Sequence, residues 1–149
     1  MPNDKPFHEN SQDYDNWFEE NHNIYFSELD AIKMFIPPVR YGVEVGVGTG
    51  RFALPLGIRL GIEPSHNMAR IARSRGIETL NGTAESLPLS DNMLDYVLMV
   101  TAVCFFDDVK KAFQEAYRVL KNDGFIIVAF IDGESSLGKL YKKHNILWF

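Results

Sequence analysis

Three glycines at alternate positions punctuate the run Val43-Glu44-Val45-Gly46-Val47-Gly48-Thr49-Gly50. Glycine allows turns closed to other residues and leaves bare main chain where a ligand can come close. A helix starting after such a turn offers unpaired N–H groups to polar or anionic atoms. Two acids bracket the turn: Glu44 precedes it and Glu63 closes the next apolar run. A carboxylate in the place of Glu63 can accept hydrogen bonds from both hydroxyls of a ribose. Alone, the turn could equally be a plain strand-to-helix connection. Glu63 is what points toward a nucleoside.

These residues must be positioned by regular elements. The first ten residues read as a loose arm, and Ser11 as the cap of a helix with Tyr14, Trp17 and Phe18 on its apolar face. A second helix is expected from near Ser27, with Tyr25, Leu29, Ile32 and Ile36 at helical spacing, ending at Pro37-Pro38. Strands are expected at 40–45, 59–63, 77–80, 95–101 and 125–131. Helices fall at 49–56, at 65–75 with Ser65 as cap and Gly76 past the end, and at 109–120 with Asp107 or Asp108 as cap. Residues 132–138 read as a turn before a partial helix. Alternating strands and helices imply a parallel sheet with crossover helices. Such sheets bind ligands beyond the carboxyl ends of their strands, where the strand order reverses.

Bulk properties narrow the classes. The chain has 149 residues, 46% apolar and 23% charged, with a net charge of -5. That length suits one domain with a real core. The acidic balance argues against nucleic acid as a partner. The lone cysteine, Cys104, excludes an internal disulfide and fits a reducing compartment; it reads as a small buried core residue. Residues 1–20 are polar and acidic, unlike a signal peptide. The apolar runs around Met99 and Val128 are too short to span a membrane. A cytoplasmic location, without membrane contact, is expected. His8, His22, His66 and His144 lack metal-ligand spacing, so no metal site is expected.

The motifs, taken in order, resemble the class I S-adenosylmethionine-dependent methyltransferases of the type 11-like group. Glu44 to Gly50 resembles their first motif. Gly61-Ile62-Glu63-Pro64-Ser65 resembles the second-strand motif with its ribose-binding acid. Residues 82–89 resemble the adenine-contacting segment, Asp95-Tyr96-Val97 the start of the fourth strand, and 112–124 the helix and turn before the fifth. The resemblance covers residues 41–130. It implies an α/β fold: a Rossmann-like three-layer α/β/α sandwich with a mostly parallel sheet of order 3-2-1-4-5 and N-terminal helices. One domain then spans 1–149, with a helical cover at 1–36, a cofactor-binding core at 40–131 and a C-terminal segment at 132–149. S-adenosylmethionine is the implied cofactor and a small molecule the implied acceptor. Glu44, Gly46, Gly48 and Gly50 would serve the methionyl end, Glu63 the ribose, and Ala84 and Glu85 the adenine side, with Pro64 of the second-strand motif also binding the cofactor. Thr101 would face the methyl group or the acceptor. The spacing G-x-G-x-G with a preceding acid also differs from the dinucleotide fingerprint G-x-G-x-x-G, because an acid repels a diphosphate but attracts an ammonium.

Four departures from the family pattern stand out. The segment from Gly50 to Glu63 is short, and Pro55 limits the first helix. Thr83 stands where the family often carries aspartate, which leaves adenine recognition to Glu85 and backbone groups. Cys104 and Phe105 stand where many relatives carry paired histidines, so no catalytic residue is assigned. Phe105 and Phe106 either line an acceptor pocket or simply pack. Only five strands are recognisable before Phe149, where the family usually has seven. That pattern suggests a truncated chain whose open sheet edge a homodimer or partner would cover. Two other functions stay open: a non-catalytic cofactor-binding module and, more weakly, a nicotinamide-dependent oxidoreductase.

Overall fold

The computed structural model describes residues 5–38 and 40–143. Three helices come first: α1 (Lys5–Glu9), α2 (Ser11–Glu20) and α3 (His22–Lys33). Five strands follow: β1 (Gly42–Val45), β2 (Leu60–Ile62), β3 (Glu78–Leu80), β4 (Leu94–Val100) and β5 (Leu120–Ala129). Between or after them run α4 (His66–Ser74), α5 (Val109–Val119) and α6 (Ser136–Lys143). All the strand pairings are parallel, in the order β3-β2-β1-β4-β5. This is the expected Rossmann-like α/β sheet. Its order reverses between β1 and β4, so a crevice must open beyond their carboxyl ends.

Alternation along the strands buries both faces of the sheet. Tyr96 and Leu98 of β4 join a core with Phe18, Tyr25, Leu29 and Ile32 of the N-terminal helices. Val97 and Met99, one residue out of phase, join the opposite core with Ala112, Ala116 and Val119 of α5. Short side chains on α5 let that helix lie close to the sheet. Asp108 caps α5 by accepting from the Lys111 amide at 3.0 Å, and Ser65 caps α4 by accepting from the Met68 amide at 3.4 Å. Glu115 and Arg118 of α5 then brace the loop after β3: Glu115 accepts from the Leu87 amide, and Arg118 donates to the Leu87 and Leu89 carbonyls.

Several local expectations are corrected. Residues 5–9 are helical, not a loose arm, because α1 docks on α4, where Asn67 donates to the His8 carbonyl at 2.8 Å. Ser11 lies inside α2; Asn10 precedes it and makes no side-chain cap. The second helix begins at His22 rather than near Ser27. Residues 49–56 form a chain of turns, not a helix. Leu54 donates to the Gly50 carbonyl and Leu56 to that of Phe52, but Pro55 between them has no N–H to continue the ladder. Cys104 is exposed. It sits in the 3-10 turn Val103–Phe105, with Val103 and Phe105 on either side partly buried. The fifth strand begins five residues early, with a register irregularity opposite Leu94 and Tyr96 before Phe125 pairs regularly. Of the C-terminal segment, residues 144–149 lie outside the described residues.

A charged clamp fastens the helices to the sheet. Asp15 of α2 is 5% exposed and receives two guanidinium groups. Arg51 donates to both carboxylate oxygens at 2.9 Å, and Arg75 donates to them at 2.9 and 2.8 Å. Arg75 also donates to the Thr49 carbonyl at 2.8 Å. Burial alone would raise the Asp15 carboxyl, but these donors hold it well below its ordinary 3.8. Asp15→Ala leaves two partly buried cations without their shared partner, which should cost about 3 kcal/mol in urea unfolding. The gap from the parent protein should be full above about pH 4 and close as acid titrates the unfolded-state aspartate, because a depressed folded value stabilises only where the group is ionised.

Candidate active site

The crevice at the switch point is a cleft open to solvent at its mouth. Its floor comes from the ends of β1, β2 and β4. Its roof is aromatic: Phe7, Tyr14, Trp17 and Phe18. Phe7 meets Phe105 edge-to-face at 4.7 Å and Tyr14 at 5.9 Å, so α1 closes one side. The N-terminal helices thus pack on the core and wall the cleft at once. Phe105 and Phe106 line it as well.

Seven of the nine residues singled out from sequence line this cleft: Gly46, Gly48, Glu63, Pro64, Ala84, Glu85 and Thr101. The turn needs its glycines, since Gly46, Gly48 and Gly50 have φ of 75°, 57° and 84°. Gly50 faces away from the cleft, where a side chain would meet Ile77 at 3.3 Å and Ala72 at 3.5 Å. Its role is close packing of the turn. Glu44 lies in β1 beneath the cleft, 2% exposed, with Oε2 unpaired. Burial first, and then the charge of Glu63, push its carboxyl well above the ordinary glutamate range.

The turn amides are used within the protein. Gly46 and Val47 donate to the Ile62 carbonyl, Gly50 to that of Val47, and Gly48 to Glu63 Oε2 at 2.8 Å. Glu63 Oε1 accepts from the Ser65 amide at 3.0 Å. A carboxylate oxygen can accept more than one hydrogen bond, so a backbone amide and a ligand hydroxyl can share it. Glu85 holds the far wall: its Oε1 accepts from the Asp107 and Asp108 amides at 2.8 and 3.2 Å. Thr101, just past β4, has φ of 49°, an unusual value for a β-branched residue, and donates its amide to the Ala129 carbonyl at 2.8 Å.

One lining residue escaped the sequence reading. Glu28 of α3 faces the cleft. The available signal was an acid among Tyr25, Leu29 and Ile32 on the buried stripe of an amphipathic helix.

The arrangement suits a cationic nucleoside. Among the described residues the lining side chains include Glu28, Glu63 and Glu85 but no Lys, Arg or His, the walls are largely apolar, and a buried acid with one unpaired oxygen lies under the turn. A diphosphate would find the amides of Gly46, Val47, Gly48 and Gly50 already paired and no cation among the described lining residues. Fold and site together define an S-adenosylmethionine-dependent methyltransferase domain of class I. The chain belongs to the methyltransferase domain family, which residues 43–128 match. An uncharacterized protein of Methanocaldococcus jannaschii is 46% identical over 92% of this chain and 66% of its own length. The malonyl-[acyl-carrier protein] O-methyltransferase of Geobacter sulfurreducens is 34% identical over 85% of this chain and 52% of its own. A crystal structure from Thermotoga maritima, described as a SAM-dependent methyltransferase and possible histamine N-methyltransferase, superposes with a TM-score of 0.87 at 51% identity. That match covers 93% of this chain and 66% of the other. The chain therefore spans about half to two thirds of the length of these relatives.

Glu63 ties the glycine turn to the segment after β2 through the Gly48 and Ser65 amides. Glu63→Ala should weaken S-adenosylhomocysteine binding by about 1.5–3 kcal/mol, roughly ten- to hundredfold, in calorimetry. It should also lower the melting temperature of the free protein, because two buried amides lose their acceptor. Unchanged affinity would remove Glu63 from the ligand contacts.

Proposed function

We propose that this chain carries out methyl transfer from S-adenosylmethionine to a small-molecule acceptor seated beside Thr101. The observation that carries the reading is the charge of the cleft: carboxylates and aromatic rings at its surface, the Gly46, Val47, Gly48 and Gly50 amides already paired, and no cation among the described lining side chains. When bound, S-adenosylmethionine supplies a methyl carbon on a sulfonium, whose C–S bond breaks with the electron pair left on sulfur. The protein's task is then to align the acceptor and exclude water.

The residues divide by position. Glu44, with Gly46, Gly48 and Gly50, serves the methionyl end, the acid acting from below through its charge. Glu63 takes the ribose, while Pro64, Ala84 and Glu85 border the adenine. Tyr14 supports this placement, since its ring lies 3.6 Å from where a Gly48 side chain would begin, which sets the height of the roof over the turn. Thr101 borders the acceptor. Related proteins differ in acceptor: the name of the Geobacter relative specifies O-methylation of malonyl-[acyl-carrier protein], and the description of the Thermotoga structure gives histamine N-methylation as a possibility.

Calorimetry separates this reading from its rivals. S-adenosylmethionine and S-adenosylhomocysteine should bind and NAD should not; the reverse pattern would sink the proposal. Release of S-adenosylhomocysteine on addition of a metabolite pool would mark turnover, whereas tight binding without release would favour a binding module. A second outcome concerns Glu44. Burial raises its value in the free protein, and a nearby ammonium lowers it. Binding at a pH between the free and bound values should therefore release protons, measured as a dependence of the heat on buffer ionisation enthalpy, and Glu44→Gln should abolish most of that dependence.

A further inference from the structure

The cleft holds an acid that the cofactor contacts do not use. Glu28 stands on α3 between Tyr25 and Leu29, both buried, so its side chain shares the inner face of the helix. It borders the cleft and also a second, apolar depression between α3 and β5; Val100 and Thr101 of the β4 end border both. Glu28 Oε1 is shut off from solvent and has no hydrogen-bond partner among the described residues. Burial lifts its carboxyl to about 7.

Among the described residues no cation balances it. The ionisable groups that feel its charge are Tyr14 of α2 and Tyr141 of α6, and the other charged side chains lining the cleft are Glu63 and Glu85. An unpaired acid in such a place works against stability. Such a group is a candidate for function, because it waits for a partner the fold does not supply.

We propose that Glu28 is the acceptor-binding residue and that the acceptor is a small amine with an apolar or aromatic body. The proposal rests on the methyl-transfer reading. Glu28 holds the acceptor as its ammonium ion while Trp17 and Phe18 face its apolar body and its charge. One N–H bond of the ammonium then breaks, the proton passes to Glu28 Oε1, and the nitrogen keeps the electron pair with which it attacks. Such a carboxylate is strong enough for an ammonium proton but far too weak a base for that of an alcohol. An acceptor carboxylate would meet only like charge.

The test uses the full chain saturated with S-adenosylhomocysteine, titrated at pH 8 with benzylamine, benzyl alcohol and benzoate. Benzylamine should bind at least tenfold more tightly than the other two, and E28Q should remove at least tenfold of that affinity. S-adenosylhomocysteine should bind E28Q within twofold of the parent chain. E28Q should also melt higher at pH 8, a gain that shrinks toward pH 5. The sign follows from a folded value above the ordinary 4.5: ionisation then favours the unfolded state, increasingly so from there to about pH 7. Equal affinity for the three probes, binding of none of them, or benzylamine binding untouched by E28Q overturns the role of Glu28 and leaves the cofactor reading standing. Failure of S-adenosylhomocysteine to bind the parent chain overturns both.

Discussion

The Asp15 carboxylate, gripped by two guanidinium groups, joins three parts of the chain that are remote in sequence. Asp15 belongs to the roof, Arg51 follows the glycine turn, and Arg75 ends α4. Buried ion pairs often fail to repay the desolvation of their charges. Here both oxygens of one acid receive a donor from each arginine, and Arg75 is further oriented by the Thr49 carbonyl. Such forked geometry is the favourable case. Without it, α2 and α3 would rely on apolar contact, the Arg51–Glu19 pair and the Tyr25 hydroxyl on the Arg51 carbonyl. Tyr14, Phe18 and Glu28 would have no fixed height above the floor.

Given that roof, the selectivity of the floor follows from bookkeeping of amides. A glycine turn in a dinucleotide site presents free N–H groups to a pyrophosphate. Here β2 and Glu63 take up those groups, which leaves carboxylates facing inward. The difference between two ligand classes on one fold thus reduces to which acceptor the turn amides already have.

The sheet, its order and the ligand turn were legible because they rest on local signals: apolar runs, capping serines and aspartates, and glycines in series. What was not legible depended on contacts between distant residues. The five residues of α1 are too few to be stable alone; α4, Tyr14 and Phe105 hold them. Pro55 was read correctly as a limit, yet the segment around it lost regular helix altogether. The partnership of Asp15 with Arg51 and Arg75 has no local signature, since each is an ordinary surface residue type. Glu28 was hidden by the same habit of reading an acid on a helix as solvated, although its apolar neighbours at helical spacing placed it inside. Glu85 shows the converse. Its position was read from a motif, but its hold on the Asp107 and Asp108 amides came from the loop after β4.

Thr101 carries a consequence for how such chains evolve. A branched side chain at positive φ is held there at a cost of about 1–3 kcal/mol, which glycine or asparagine would largely relieve. Drift under selection for folding alone would soon replace it. Persistence of threonine across descendants would then register continuing use of the cleft, and its loss to glycine or asparagine would be an early sign of a lineage that keeps the scaffold after abandoning its acceptor.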